Sequence, residues 1–207
     1  MALHALQQQR AVRVAGLLTT VTEGYERISM HGVRRSLLLR QVERIGLPLQ
    51  EVRVPPQCVN PVYEERMREA LLAQKENGVR RVAFGDIFLQ DLREYRERNL
   101  AQVEMTGIFP IWKRDTRELA RDFCAMGFRA IAVCIDSQKL GREFAGRELD
   151  ESFFRDLPSD ADGCGENGEF HTFVYDGPIF SRAIAVQRGE IVERDGFYFC
   201  DLEEKAE

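Results

Sequence analysis

Apolar and polar positions along the chain follow two periods, one typical of buried strands and one typical of helices. Residues 12–20 form a nearly continuous apolar run, the pattern of a parallel strand buried on both faces. From Val33 to Ile45 the apolar positions recur at helical spacing, and Gly46 follows where a left-handed C-cap residue would lie. The same reasoning predicts strands over residues 49–54, 82–84 and 108–112 and helices over residues 1–9, 60–78 and 91–100. Strands that alternate with helices need crossover connections, so the pattern predicts a mostly parallel sheet with helices on both faces.

The pattern changes after Trp112. A helix over residues 116–126 and a strand over residues 128–135 come first. The strands predicted after them are separated by tight-turn dipeptides, Asp176-Gly177, Arg188-Gly189 and Asp195-Gly196. The sequence therefore predicts an α/β domain over residues 1–112 and a smaller α+β domain, richer in antiparallel strands, over residues 113–207.

Composition narrows the class of protein. The formal net charge of −5 disfavours a general nucleic-acid binder, which needs clustered positive charge. The five cysteines are scattered and never form a CxxC pair, which disfavours a disulfide framework and a zinc ribbon. No apolar run approaches the ~20 residues of a membrane helix. These features predict a soluble cytoplasmic protein.

The densest set of chemical groups lies in residues 164–172, which we name the glutamate loop. Two carboxylates, an amide, an imidazole and a hydroxyl follow one another here among glycines that allow close approach of a ligand. The candidate catalytic residues are Glu166, Asn167, Glu169 and His171. A solvated polar turn before a strand is an alternative interpretation. A metal site formed by Cys164, Glu166, Glu169 and His171 is another, although their spacing matches no standard zinc pattern.

A second set of candidates follows the ends of predicted strands, where open parallel sheets bind ligands. Thr19 and Thr20 end the first strand, and His31 precedes the next helix, where it is either a ligand contact or a solvent-exposed helix-start residue. Gly85 permits a nucleotide near the backbone, and Asp86 is either a partner of magnesium-bound pyrophosphate or a helix cap.

Several segments together resemble the diphthine-ammonia ligase type of ATP pyrophosphatase. The resemblance spans nearly the whole chain, and the glycine-glutamate loop followed by His171-Thr172 is its most specific part. The segments that carry it are Leu17-Leu18-Thr19-Thr20-Val21, Ser29-Met30-His31-Gly32-Val33-Arg34, Phe84-Gly85-Asp86-Ile87, Leu92-Arg93-Glu94-Tyr95-Arg96 and Gly165-Glu166-Asn167-Gly168-Glu169-Phe170-His171-Thr172.

The resemblance implies an adenine nucleotide alpha hydrolase-like domain of the PP-loop superfamily with a smaller substrate domain. In that family ATP, with Mg²⁺, adenylates a carboxylate, and ammonia then attacks the acyl adenylate to give an amide. The implied partners are therefore ammonia and a small-molecule or protein carboxylate. A homodimer is compatible with this assignment, whereas a nucleic-acid or membrane partner and a resident metal are not expected.

The sequence departs from the family pattern at two places. The family begins with a strand and a Ser-Gly-Gly-Lys-Asp-Ser phosphate loop just before the helix that starts here at Met1, and this sequence lacks both. We therefore expect impaired catalysis, and a non-catalytic nucleotide-binding or structural relative is the alternative. Asn167 stands where many relatives have glycine, and we expect the loop to keep its shape because asparagine tolerates left-handed backbone.

Overall fold

The computed structural model describes residues 1–205, which form two compact units. Unit 1 comprises Met1–Glu26 and Leu47–Arg114, and unit 2 comprises Arg27–Gly46 and Asp115–Glu207. Residues 27–46 thus group by packing with the C-terminal part of the chain, while the functional boundary at residues 112 and 113 stays a prediction.

Helices and strands follow one another along most of the chain. The helices are α1 (Ala2–Gln7), α2 (Arg35–Ile45), α3 (Asn60–Glu76), α4 (Gln90–Ala101), α5 (Thr116–Ala125) and α6 (Glu151–Asp156), with a 3-10 turn at Arg142–Phe144. The strands are β1 (Leu17–Thr22), β2 (Arg27–Ile28), β3 (Leu49–Val54), β4 (Arg81–Ala83), β5 (Thr106–Ile108), β6 (Arg129–Asp136), β7 (Phe170–Asp176), β8 (Val186–Arg194) and β9 (Phe197–Glu204).

Unit 1 contains parallel strand pairs and three helices. Strand β1 pairs with β3 from Leu17–Leu49 to Thr22–Val54, and β4 pairs with β5 over three residues. An apolar cluster around Leu71 and Leu100 also contacts Leu18 of β1 and Val82 of β4. The α/β class and the parallel pairing predicted for this part of the chain are confirmed.

Unit 2 is built on an antiparallel sheet with the strand order β7-β6-β9-β8. Strand β6 is buried from Ala130 to Ile135 because it is central and covered on both faces. Phe153 of α6, Phe173 of β7 and Leu37 of α2 join it in one core. The predicted antiparallel character of the C-terminal part is confirmed.

The bounds predicted for two strands, 12–20 and 108–112, are wrong, because the strands are Leu17–Thr22 and Thr106–Ile108. Strand β1 begins at Leu17, where its N–H bonds to Pro48 O at 2.8 Å, and residues 12–16 precede the ladder. Strand β5 ends at Ile108. The apolar residues after it form a turn in which Trp112 N donates to Phe109 O at 3.2 Å, and Phe109 and Trp112 both contact the Arg93 guanidinium.

One predicted turn is also wrong. The Arg188-Gly189 dipeptide lies inside β8, at a shift of the register with β9 between Arg188 and Ile191. Glycine is tolerated in a strand interior where a bulge interrupts the ladder, so the dipeptide marks a bulge here.

Among residues 1–205, no helix combines the length and the apolar character that crossing a bilayer requires.

Candidate functional site

The glutamate loop is folded around Asp162, a residue that sequence reasoning misses. Its carboxylate oxygen Oδ2 accepts hydrogen bonds from the backbone N–H groups of Cys164 at 3.1 Å and Glu166 at 2.9 Å. Gly165 has φ +69°, and a Cβ atom there would lie 2.7 Å from Phe170 O. Only glycine fits this position, because a side chain would meet fixed backbone and strain φ. The signal in the sequence is the Asp162-Gly163 pair, which is typical of such side-chain turns.

Glu169 is the buried carboxylate of the loop, with only 3% of the residue exposed. Its Oε1 accepts from Asp162 N at 2.9 Å and from Asn167 Nδ2 at 3.1 Å. Its Oε2 is buried and has no hydrogen-bond partner among the described residues. A buried carboxylate oxygen without a donor is unfavourable, so Oε2 is an atom that a ligand N–H or O–H would satisfy.

Asn167 and Lys139 hold the tip of the loop. Lys139 Nζ donates to Asn167 O at 2.5 Å, and Asn167 in turn donates to Glu169. The left-handed residues of the loop are Gly165 and Gly168, so Asn167 keeps the loop shape without adopting left-handed backbone. Sequence reasoning misses Lys139 because nothing in its local sequence links it to a loop so distant along the chain.

The geometry does not favour the metal interpretation of this loop. Cys164 Sγ donates to Thr116 O at 3.3 Å. Burial, and then the nearby carboxylates of Asp162 and Glu166, raise the pKa of the Cys164 thiol to about 12, so the metal-binding thiolate is disfavoured. Residues 1–205 contain no group of three or more His, Cys, Asp or Glu side chains arranged to hold a metal ion.

His31 and His171 lie against each other in unit 2. Their ring centroids are 4.5 Å apart with an interplanar angle of 27°, which is a stacked arrangement. The sequence groups His31 with the strand-end residues Thr19 and Gly85, whereas the structure places it beside a residue of the glutamate loop. It is not the solvent-exposed helix-start residue of the alternative interpretation, since His31 and His171 are both partly buried.

Burial keeps both imidazoles neutral near neutral pH. Burial first, and then repulsion from His171, lowers the pKa of His31 to about 4, although a backbone hydrogen bond with Thr172 opposes this change. Burial also lowers the pKa of His171 below its ordinary value. The pair therefore presents uncharged rings that can donate or accept a hydrogen bond.

Two arginines that bracket residues 28–33, which we name the His31 loop, hold it against strand β9. Arg27 Nη1 donates to Gly32 O at 2.5 Å and to Asp201 Oδ1 at 2.9 Å. Arg34 donates from Nε and Nη2 to the two oxygens of Asp201, at 3.1 and 2.5 Å. Burial raises the pKa of Asp201, but the hydrogen bonds from Arg34 and Arg27 outweigh it and lower that pKa to about 2. Asp201 is therefore a permanent anion that fixes the His31 loop.

The remaining sequence-predicted residues lie in unit 1. Thr19 and Thr20 are on β1 and partly buried, and Gly85 follows β4. A Cβ atom placed on Gly85 would meet only Ala2 Cβ, at 3.9 Å, so this backbone is open to a ligand. Both the binding of adenosine by these hydroxyls and this open backbone and their convergence on one nucleotide stay predictions.

Asp86 is engaged within the protein. Its two oxygens accept hydrogen bonds from Arg96 Nε at 2.6 Å and Arg96 Nη2 at 3.1 Å. The Arg96 guanidinium also lies over the Phe84 ring, 4.5 Å from the ring centroid. It is not a cap of α4, whose N-cap residue is Leu89. One guanidinium thus holds both oxygens of Asp86, and a contact of this carboxylate with magnesium-bound pyrophosphate stays a prediction.

Comparisons with known proteins give a consistent result. Residues 115–207 match the family described as "Diphthamide synthase C-terminal domain". The chain is 26% identical over 187 residues to the diphthine-ammonia ligase of Mus musculus. The aligned region covers 87% of the chain and 70% of the mouse protein. The chain is 24% identical over 177 residues to the human protein of that name, covering 83% and 66%. The same name belongs to a Danio rerio protein that is 30% identical over 129 residues, covering 58% and 49%.

Proposed function

We propose that this chain, whose residues 115–207 match the diphthamide synthase C-terminal domain and which is similar to diphthine-ammonia ligases, is an ATP-dependent ligase that joins ammonia to a carboxylate to form an amide. Diphthine, the substrate in the names of the relatives, is one candidate carboxylate, and a small-molecule acid is the other. The chain spans about two thirds of the length of the mouse and human relatives, so the whole activity is part of the proposal.

The observation that carries the proposal is the buried, half-satisfied carboxylate of Glu169. Ammonia is mostly ammonium at neutral pH, and the nitrogen must lose a proton before it can attack an activated acyl carbon. Glu169 Oε1 is fixed by two donors, while Oε2 accepts no hydrogen bond from the described residues. Oε2 is therefore the atom that we assign to bind the ammonium N–H and to receive its proton.

His171 and Glu166 complete the candidate catalytic set with Glu169 and Asn167. The His31–His171 pair stays neutral near pH 7, so it adds no positive charge that would repel ammonium. Its partly buried rings also help to exclude water, which would otherwise hydrolyse an activated acyl group. Asp162 fixes Glu166 through its backbone N–H, so this contact does not involve the Glu166 side chain.

ATP is the co-substrate in this proposal. Thr19, Thr20 and the open backbone at Gly85 are the residues of unit 1 that we assign to adenosine. ATP supplies the adenylyl group that activates the carboxylate, and pyrophosphate leaves; AMP then leaves when the ammonia nitrogen attacks the acyl carbon. Asp86 is held by Arg96, and its contact with magnesium-bound pyrophosphate is part of the proposal.

The test is pyrophosphate release by the chain in the presence of ATP, ammonium and a panel of carboxylates that includes a diphthine-bearing protein. We expect release that requires both ammonium and one carboxylate, with the amide detected by mass spectrometry. Absence of ammonium-dependent release with every carboxylate would contradict ligase activity. Calorimetric ATP binding without any release would instead favour the non-catalytic nucleotide-binding relative.

A further inference from the structure

A cavity of about 750 Å³ lies in unit 2 between helices α5 and α6 and the segment that follows α6. Its volume is within the range of small-molecule sites, which is roughly 300–1,000 Å³. One wall is apolar, because Phe154, Leu157 and Ala161 pack against the core of unit 2 and also line the cavity. The cavity is thus supported by the folded core.

Three arginines give the lining of the cavity a positive charge. Arg117 and Arg121 of α5 and Arg155 of α6 line the cavity, and Glu151 is the carboxylate among the lining residues. Arg117 and Arg121 are four residues apart on one helix, so they lie on the same face and repel each other. Within residues 1–205 neither of their side chains forms an ion pair or a hydrogen bond, whereas Arg155 has a weak contact of 3.5 Å with Asp156.

We propose that this cavity binds a small organic anion, with a carboxylate or phosphate held by Arg117 and Arg121 and an apolar body packed on Phe154 and Leu157. Guanidinium groups match both oxyanions through paired N–H donors, and they have no competing partner within the described residues. The bound anion also relieves the repulsion between the two arginines. Binding at this site is independent of the reaction proposed above, since it uses none of the residues assigned to that reaction.

The site adjoins the glutamate loop through the chain itself. Gly163 lines the cavity and lies between Asp162, which organises the loop, and Cys164, which begins it. The Cys164 thiol donates a hydrogen bond to the backbone carbonyl of Thr116, the residue before Arg117. An occupant would therefore touch backbone that leads directly into the loop.

The experiment is isothermal titration of the whole chain with 1-naphthoate, 1-naphthyl phosphate and 1-naphthamide, which share one ring system and differ in charge. We expect one equivalent of at least one anion to bind at least tenfold more tightly than the neutral amide. The stronger of the two anions identifies the preferred oxyanion. Equal affinities for the anions and the amide would overturn the proposal.

Variants locate the binding. The double variant R117Q/R121Q should bind the anion at least tenfold more weakly and the amide with unchanged affinity, whereas R98Q, an exposed arginine of α4, should bind like the wild type. Ala125→Trp places a large ring at an exposed lining position and should abolish binding of all three compounds. Thermal melts by circular dichroism verify that each variant is folded. Undiminished anion binding by folded R117Q/R121Q would show that the anion binds elsewhere.

Discussion

The imidazoles of His31 and His171 stack at 4.5 Å, although one ring belongs to a loop before α2 and the other to strand β7. The contact places two sequence motifs, Ser-Met-His-Gly and Glu-Phe-His-Thr, at one location in unit 2. Protonating one ring would place a charge in a partly desolvated position beside the other imidazole. The stacked pair is therefore favoured in its neutral form.

The first prediction concerns acid stability. The pKa of His31 in the folded chain is about 4, below its ordinary value of 6.5. The unfolded chain therefore binds a proton at this residue as pH falls below about 6.5 while the folded chain does not. Stability should fall between pH 6.5 and 4, with this histidine contributing up to about 3 kcal/mol. Urea unfolding of wild type and H31F at pH 7.5 and 5.0 measures the effect.

H31F keeps an aromatic ring for stacking but cannot titrate, so its stability should change less than that of the wild type over this interval. The control is M30L, an exposed neighbour of His31 that does not titrate, and it should keep the wild-type pH dependence. An identical loss of stability in H31F and wild type would show that His31 does not cause it.

The second prediction concerns Glu169. E169Q keeps the shape and the Oε1 acceptor but removes the carboxylate, so ammonium-dependent pyrophosphate release should fall by about 10²-fold or more. Its unfolding free energy should stay near that of the wild type or rise, because a half-satisfied buried charge has been removed. The control is E190Q, an exposed position on β8. Wild-type turnover by E169Q would exclude the proton-accepting role.

The third prediction separates steric clash from backbone strain in the glutamate loop. Gly165 and Gly196 both have positive φ, at +69° and +80°, but only Gly165 has atoms within 4 Å of an added Cβ. G196A should lose about 1 kcal/mol from backbone strain alone. G165A should lose roughly 1 to 3 kcal/mol more, because its Cβ meets the Phe170 carbonyl. Equal losses in chemical denaturation would indicate that the loop moves away freely.

The fourth prediction tests the role of Asp86. D86N breaks a largely buried ion pair and leaves Arg96 without its carboxylate, so the protein should lose about 2 to 4 kcal/mol of stability. D91N, in the exposed first turn of α4, is the matched control and should lose less than about 1 kcal/mol. If D86N instead keeps its stability and loses only ATP affinity in calorimetry, Asp86 acts on the nucleotide after all.

Sequence periodicity correctly predicts those helices and strands whose buried face follows from the pattern of their own residues. The Leu49–Val54 strand and the helix that ends before Gly46 are predicted correctly because local pattern and capping agree there. The strand predicted to continue after Ile108 is wrong. The apolar side chains of Phe109 and Trp112 are covered by the Arg93 guanidinium and not by a neighbouring strand. An apolar run shows that residues are buried but not what covers them.

The candidate site is predictable only where its residues are neighbours in the sequence. Gly165, Glu169 and His171 are close in sequence, and their density of polar groups is visible there. The partners Lys139 and His31 come from distant segments, and only tertiary packing brings them to the loop. Neither the Asp86–Arg96 ion pair nor the arginine-lined cavity has a local signature, because each depends on side-chain direction.

The clamp of Arg27 and Arg34 on Asp201 has a consequence for synthesis of the chain. The His31 loop is synthesised well before its anchor, which lies on β9. Contacts between such distant residues form late, because the intervening chain must be made and folded first. The histidine pair of the nascent protein therefore gains its anchor only after β9 has been synthesised, and a truncation that removes β9 would leave His31 without that anchor.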